Sequence, residues 1–108
     1  MVGKAEYLRN LKLLEGITHK SFESIIGESI ELDSGEEKFP ARVEDVTLLR
    51  VQAGQERQPF SVILQSFEAS SHGQGTYRLR HPQLGDLDLF AVPIGPGTDG
   101  MRYEIVFN

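Results

Sequence analysis

The sequence predicts a mainly β protein: about six antiparallel strands in a roll, a sandwich or a small barrel, with one or two short helices before them. Two observations favour this fold class. From Ile30 onward, apolar and polar residues alternate with a period of two, which is typical of half-buried strands. No helical pattern in that region is long enough for the crossover that parallel strands need, so a parallel sheet is excluded.

The N-terminal pattern is helical. Apolar residues recur at intervals of three or four and a glycine follows them: Tyr7, Leu8, Leu11, Leu14 and then Gly16. This spacing predicts a short amphipathic helix over residues 4–15. We expect residues 1–16 to be an N-terminal extension and residues 17–108 to be a single antiparallel β domain with a short opening helix.

The opening helix is predicted from its ends. Thr18 is a typical N-cap residue, and Gly27 stands where a residue with positive φ ends a helix. Phe22, Ile25 and Ile26 form an apolar stripe between them. One compact helix of about a turn and a half is therefore expected here.

The first three strands are predicted from the distribution of apolar and polar residues over their two faces. A strand around Leu32 ends in a polar turn at residues 34–37. In the next strand the apolar positions change parity at Glu44-Asp45, which predicts a β-bulge or a bend. The third strand is apolar on both sides over residues 60–64, so both of its faces are expected to be covered.

Residues 76–91 predict a hairpin in one register. Two alternating runs flank the segment His81–Gly85, and a single pairing satisfies the polar and the apolar face together. The predicted pairs are Arg78–Asp88 and Arg80–Asp86 on the polar face, and Leu79–Leu87 and Tyr77–Leu89 on the apolar face.

The C-terminal part is predicted as a loop followed by a last strand. Val92-Pro93 is expected near a strand end, because an interior proline removes a donor from the ladder. The glycine-rich segment 95–100 is a loop, and residues 101–107 alternate as a strand inside the sheet. We also expect the sheet to keep one edge available for pairing.

Composition narrows the function classes. The chain has 108 residues, 39% of them hydrophobic and 25% charged, with a net charge of −5 and no cysteine. An acidic chain without a cluster of basic residues is not expected to bind nucleic acid, because it cannot neutralise the phosphate backbone. The missing cysteines exclude disulfides, thiolate zinc sites and thiol nucleophiles, and favour the cytoplasm. No apolar segment approaches the roughly 18 residues of a membrane span, and Val2 excludes myristoylation.

No metal or cofactor site is predicted. Residues 33–37 offer oxygen ligands for calcium, but they lack EF-hand spacing, and a charged turn explains them. His19, His72 and His81 show no metal-pair spacing, and His19 and His72 are expected to be solvated. The loop 95–100 lacks the lysine and the following helix of a phosphate-binding loop.

These absences favour a non-catalytic protein-interaction or assembly module. Its partner is expected to be a protein, and homo-oligomerisation stays open. Binding residues concentrate on loops held by rigid strands. The candidate interaction residues are therefore those of two loops: His81, Gln83, Gly85, Gly97 and Asp99. The same loops are also explained as tight connections without a binding role.

Two alternatives stay open. In a barrel that binds a small ligand or a carbohydrate, Tyr77, Phe90 and Tyr103 would line a concave surface. In a hydrolase, the less favoured alternative, His81 or His72 would act with an acid such as Asp99 or Glu104. No catalytic motif supports the hydrolase.

Three strings of the C-terminal part resemble a small bacterial family of unknown function. They read QGTYRLRHPxLG from Gln74, LFxVPxGP from Leu89 and RYExVFN from Arg102. The resemblance covers residues 17–108 and implies no established activity or site residue. It implies that members are encoded beside phage-tail-collar-like proteins, and hence a role in building or servicing a tail-like particle.

Overall fold

The computed structural model describes residues 3–108 and contains a closed barrel of six antiparallel strands preceded by two helices. The elements are α1 Lys4–Glu15, α2 His19–Glu23, β1 Ser29–Asp33, β2 Lys38–Leu48, β3 Phe60–Ser66, β4 Gly75–His81, β5 Gly85–Pro96 and β6 Met101–Phe107. The predicted fold class is confirmed, and of its three forms the structure adopts the barrel. Val2, on which the exclusion of myristoylation rests, lies outside the described residues. The proposed division of the chain into an extension and a domain at residue 17 stays a prediction.

The strand order β1-β2-β3-β6-β5-β4 gives the barrel two different ends. Because every neighbouring pair is antiparallel, alternate connections meet at the same end. Residues 34–37, 67–74 and 97–100 share what we call the loop end. Helix α2 and residues 49–59 and 82–84 share the helix end.

The barrel interior is filled by side chains, with an aromatic group near each end. Phe39, Tyr77 and Tyr103 are buried towards the loop end, with ring centroids 5.7–6.2 Å apart. Towards the helix end, Phe60 stacks on Phe107 at 4.5 Å. Aromatic pairs of this kind add about 0.5–1.5 kcal/mol each beyond their buried area.

Helix α2 closes the helix end. Phe22 and Ile25 are fully buried, and Phe22 lies 5.4 Å from the Phe107 ring. Ile26, predicted on the same stripe, is instead 49% exposed, because α2 ends at Glu23 and the chain then turns. Gly27 makes that turn at φ 90° and donates its N–H to the Val43 carbonyl.

Both predictions for the middle strands are confirmed. The register between β2 and β3 shifts between Val43 and Asp45, so the bulge lies where the apolar parity changes. Six of the seven residues of β3 are buried. The buried Ser66 hydroxyl of this strand donates to the Met101 carbonyl at 2.7 Å.

The hairpin of β4 and β5 has the predicted register for all four pairs. His81 and Gly85 form one further pair, which reduces the loop to residues 82–84. On the polar face, Arg78 binds Asp88 with two parallel hydrogen bonds of 2.8 and 3.1 Å. This pairing and Glu6, 3.7 Å away, raise the pKa of the Arg78 guanidinium above its usual range.

Reversing this ion pair tests the register in solution. We expect Arg78→Asp to lower the free energy of unfolding by about 1 kcal/mol, since it places two carboxylates opposite each other. Adding Asp88→Arg should restore part of the loss, because Glu6 still repels the new Asp at position 78. Urea denaturation measures both, and equal stability of the single and double variants would contradict the pairing.

Two predictions for the sheet are wrong. Pro93 lies inside β5, opposite Tyr103, and not near a strand end. It is tolerated because β5 pairs with β4 only as far as Ala91 and with β6 from Val92 onward, and the register shifts next to the proline. The expected free edge strand is also absent among the described residues, since the barrel closes.

Helix α1 lies along the part of β5 that β6 does not cover. The Asn10 side-chain amide donates to the Asp88 carbonyl at 3.2 Å and accepts the Asp88 N–H at 2.8 Å. This amide occupies the place of a neighbouring strand. No described residue of α1 is buried, and neither described helix is long and apolar enough to cross a membrane.

Candidate functional site

The five predicted interaction residues do not form one surface. His81, Gln83 and Gly85 lie at the helix end, and Gly97 and Asp99 lie at the loop end. Residues 86–96 of β5 separate the two groups. A single partner contacting both loops would therefore have to reach along the whole barrel wall.

His81 is an anchored residue at the helix end. Its side chain is 4% exposed, and its Nε2 lies 2.9 Å from Glu28 Oε1. The Gln83 N–H donates to Nδ1 at 3.1 Å, so Nε2 carries the proton that Glu28 accepts. The imidazole thus fixes the turn that follows it. Beside the turn is an open groove of about 450 Å³ whose lining includes Arg80, His81 and Gly85.

At the loop end, Gly97 and Asp99 are held by their surroundings. The Gly97 N–H donates to the Gly100 carbonyl at 2.7 Å, and a Cβ at Gly97 would collide with the buried Gln65 amide. The Asp99 carboxylate accepts a 2.8 Å hydrogen bond from Arg42. Both residues therefore have structural explanations.

A second group at the loop end was not predicted. It consists of Glu37, Glu68 and His72, and we call it the His72 cluster. His72 Nε2 lies 2.6 Å from Glu68 Oε2 and 3.9 Å from Glu37 Oε2. The three atoms lie within 4.8 Å of one another. Two carboxylates and an imidazole can share a proton or hold a cation.

The aromatic group under the His72 cluster positions its imidazole. The His72 ring stacks on Phe39 with centroids 4.4 Å apart and planes 19° apart. The backbone N–H of His72 donates to the Tyr103 hydroxyl at 3.1 Å. The Tyr77 hydroxyl donates to the Gly73 carbonyl. Burial raises the pKa of Tyr77 to about 12, and the neighbouring Tyr103 adds a smaller contribution in the same direction.

His72 is thus not the solvated residue that its polar loop predicts, since its side chain is only 18% exposed. The i,i+4 spacing of Glu68 and His72 was not a usable signal, because it brings side chains together on a helix and residues 67–74 are not helical. Glu37 comes more than thirty residues earlier. Only the pairing of the strands brings it to the cluster.

Among the oxygen donors of the 33–37 turn, where no calcium site was predicted, Asp33 is engaged within the fold. Asp33 accepts the Gly35 N–H at 2.8 Å and the Arg80 guanidinium at 3.1 Å. The Gly35 hydrogen bond and then Arg80 lower the pKa of this carboxyl. Asp33 therefore stabilises the fold at neutral pH and loses that contribution only as the pH falls through the lowered value.

The two alternative sites drawn from the sequence are not assembled as expected. Tyr77 and Tyr103 are buried in the core, whereas Phe90 is 56% exposed outside the barrel, so the three rings do not line one surface. His72 and His81 pair with Glu68 and Glu28. Among the described residues, neither histidine forms an ion pair with Asp99 or Glu104.

Apolar side chains gather on α1 and the neighbouring outer face of β5. We call this group the α1 patch: Tyr7, Leu8, Leu11 and Phe90, which are between 40% and 56% exposed. Tyr7 and Phe90 line the same surface cavity of about 240 Å³. Tyr7 and Leu11 are neighbours on the helix surface, as are Leu8 and Leu11. The sequence places the helix residues together but not Phe90.

Comparison with curated proteins and with solved structures gives no match. The family model described as Domain of unknown function (DUF6916) matches residues 17–107, which is most of the chain. Helix α1 precedes the matched region, and the whole barrel lies within it. The predicted resemblance to a family of unknown function is confirmed at this level, and the chain belongs to the DUF6916 family.

Proposed function

We propose that this protein is a non-catalytic interaction module that binds a protein partner through the α1 patch. The observation that supports the proposal is the exposure of four large apolar side chains next to one another: Tyr7, Leu8, Leu11 and Phe90. Contiguous apolar surface of this kind on a small protein is typical of interaction sites.

The energetics of α1 support the same conclusion. A helix of 12 residues is marginal in water on its own, and tertiary burial of an apolar face normally stabilises it. Here no described residue of α1 is buried. Its Leu14 packs partly buried against the core, and polar contacts of Asn10 and Glu6 also hold the helix on the barrel. A partner that covers the patch would supply the missing burial, at about 25 cal/mol per Å² of apolar surface.

The partner proposed here is a protein with a complementary apolar surface. The family resemblance makes components of a tail-like particle the first candidates, in the cytoplasm where a cysteine-free chain is expected to act. Gln83 and Asp99, exposed on the two predicted loops, define two competing surfaces, one at each end of the barrel. The experiment therefore compares the patch with those loops.

Binding should depend on the patch and not on the loops. The full chain is immobilised, cell extract of the native host is passed over it, and retained proteins are identified by mass spectrometry. We expect Leu11→Ser with Phe90→Ser to weaken retention of the partner at least tenfold, since both remove apolar contact area. Leu48→Ser is the matched control, because Leu48 is 54% exposed on a different strand.

The two competing loops are tested together by a double variant, Gln83→Ala with Asp99→Ala. Retention that is lost in this variant but kept in the patch variant would transfer the interaction to the loops. Retention that is unchanged in both would contradict the interaction sites proposed here. Purified tail components then replace the extract, and their Kd for the wild type and the patch variant is measured by calorimetry.

A further inference from the structure

We propose that the His72 cluster is a binding site for one divalent first-row transition metal ion, such as Zn²⁺. The ligand atoms would be Glu37 Oε2, Glu68 Oε2 and His72 Nε2, which already lie within 4.8 Å of one another. This site is at the loop end, away from the α1 patch, and does not depend on the proposed interaction.

The spacing of the three atoms fits an ion. Oxygen and nitrogen ligands bound at 2.0–2.2 Å lie about 3.0–3.5 Å from each other in octahedral or tetrahedral geometry. The observed separations from His72 Nε2 are 2.6 Å to Glu68 and 3.9 Å to Glu37, on either side of that range. The Glu37 and Glu68 side chains are 63% and 40% exposed, so shifts of about half an ångström need no repacking of the core.

The charge of the His72 cluster is a second and independent indication of a cation site. Two carboxylates converge on one imidazole, yet no lysine or arginine nitrogen of residues 3–108 lies within 4.0 Å of either. Asp33, Asp88 and Asp99 each have an arginine at 2.8–3.1 Å. No lysine or arginine of the described residues therefore competes with a cation for these two carboxylates.

The imidazole is held in place before any ion arrives. Stacking on Phe39 and the hydrogen bond from the His72 N–H to Tyr103 fix the ring and its backbone. A ligand whose rotamer is already set loses little entropy on binding. His72 thus supplies a rigid ligand, and the two glutamates supply adjustable ones.

The donor set selects the class of ion. Imidazole nitrogen with carboxylate oxygens suits Zn²⁺, Mn²⁺ and neighbouring ions, whereas Ca²⁺ prefers six to eight oxygen ligands. A soft ion such as Cu(I) would need the thiolates that this chain lacks. A bound ion would join the 34–37 turn to the 67–74 connection and so tie two parts of the loop end together.

The test is titration of the EDTA-treated, untagged full chain with ZnCl₂, followed by calorimetry. We expect one ion per chain, and an affinity at least tenfold lower for His72→Gln and for Glu37→Gln. In thermal unfolding, Zn²⁺ at 100 times its Kd should raise the Tm of the wild type by on the order of 10 °C. CaCl₂ at the same concentration should leave the Tm unchanged.

The matched control is His19→Gln. His19 also pairs with a glutamate at i,i+4, Glu23, but it belongs to no group of three ligands among the described residues. Zn²⁺ binding should be unchanged in this variant. The proposal is overturned if the wild type shows no 1:1 binding, if Glu37→Gln binds as tightly as the wild type, or if His19→Gln loses as much affinity. Should His72→Gln fail to fold by circular dichroism, the exposed Glu37 decides the outcome.

Discussion

Replacing Leu79 with alanine is expected to lower the free energy of unfolding by about 2–5 kcal/mol. Leu79 is fully buried at the centre of β4, and its neighbours across both ladders, Leu32 and Leu87, are fully buried as well. The barrel wall is hydrogen-bonded on both sides of the residue, so it cannot collapse into the cavity that alanine leaves. The free energy of unfolding of a small domain is about 5–15 kcal/mol in total, so much of it depends on this one side chain.

Leu48→Ala is the control for this prediction. It makes the same chemical change on another strand, but Leu48 is 54% exposed, so a change within about 0.5 kcal/mol is expected. Urea denaturation followed by circular dichroism gives both values. Equal losses in the two variants would contradict the assignment of Leu79 to the core.

Gly100→Ala is expected to have the second largest effect, a loss of about 2–4 kcal/mol. Gly100 has φ 155°, and a Cβ there would lie 2.6 Å from the Glu68 carbonyl oxygen and 2.9 Å from that of Ser66. Both are backbone oxygens, one at the end of β3 and one in the connection that follows it, and they cannot rotate away. Alanine would therefore force the 97–100 loop away from β3 and weaken the hydrogen bond from the Met101 N–H to the Glu68 carbonyl.

Gly35→Ala separates the two causes. Gly35 also has a positive φ, 95°, but among the described residues no heavy atom lies within 4 Å of its Cβ position. Only the backbone strain applies there, and a loss of about 1 kcal/mol is expected. Thermal unfolding of both variants compares them. If Gly100→Ala costs no more than Gly35→Ala, the close approach to Glu68 is not present in solution.

The register of the hairpin of β4 and β5 could be predicted, because its information is local. Charge and hydrophobicity each specify the pairing of Arg78 with Asp88 and of Leu79 with Leu87, and the two agree on one register. The bulge near Asp45 could be predicted for the same reason. Alternation along a strand records which face is buried.

The alternation of apolar and polar residues does not show which strands are neighbours in the sheet. Pro93 was misplaced because β5 exchanges β4 for β6 along its length. The approach of Glu37 to His72 depends on the same closure of the barrel. Phe90 alternates like a strand residue, and only the docking of α1 brings Tyr7 beside it. Contacts between distant segments therefore had to come from the structure.

The two hydrogen bonds of Asn10 to Asp88 have an evolutionary consequence. The Asn10 amide, the Glu6–Arg78 ion pair and the partly buried Leu14 together hold the N-terminal helix on the barrel, and none of these contacts involves Tyr7, Leu8 or Leu11. Substitutions at those outward positions would therefore leave the attachment of the helix intact. Such independence agrees with a family model that starts at residue 17, after the helix has ended.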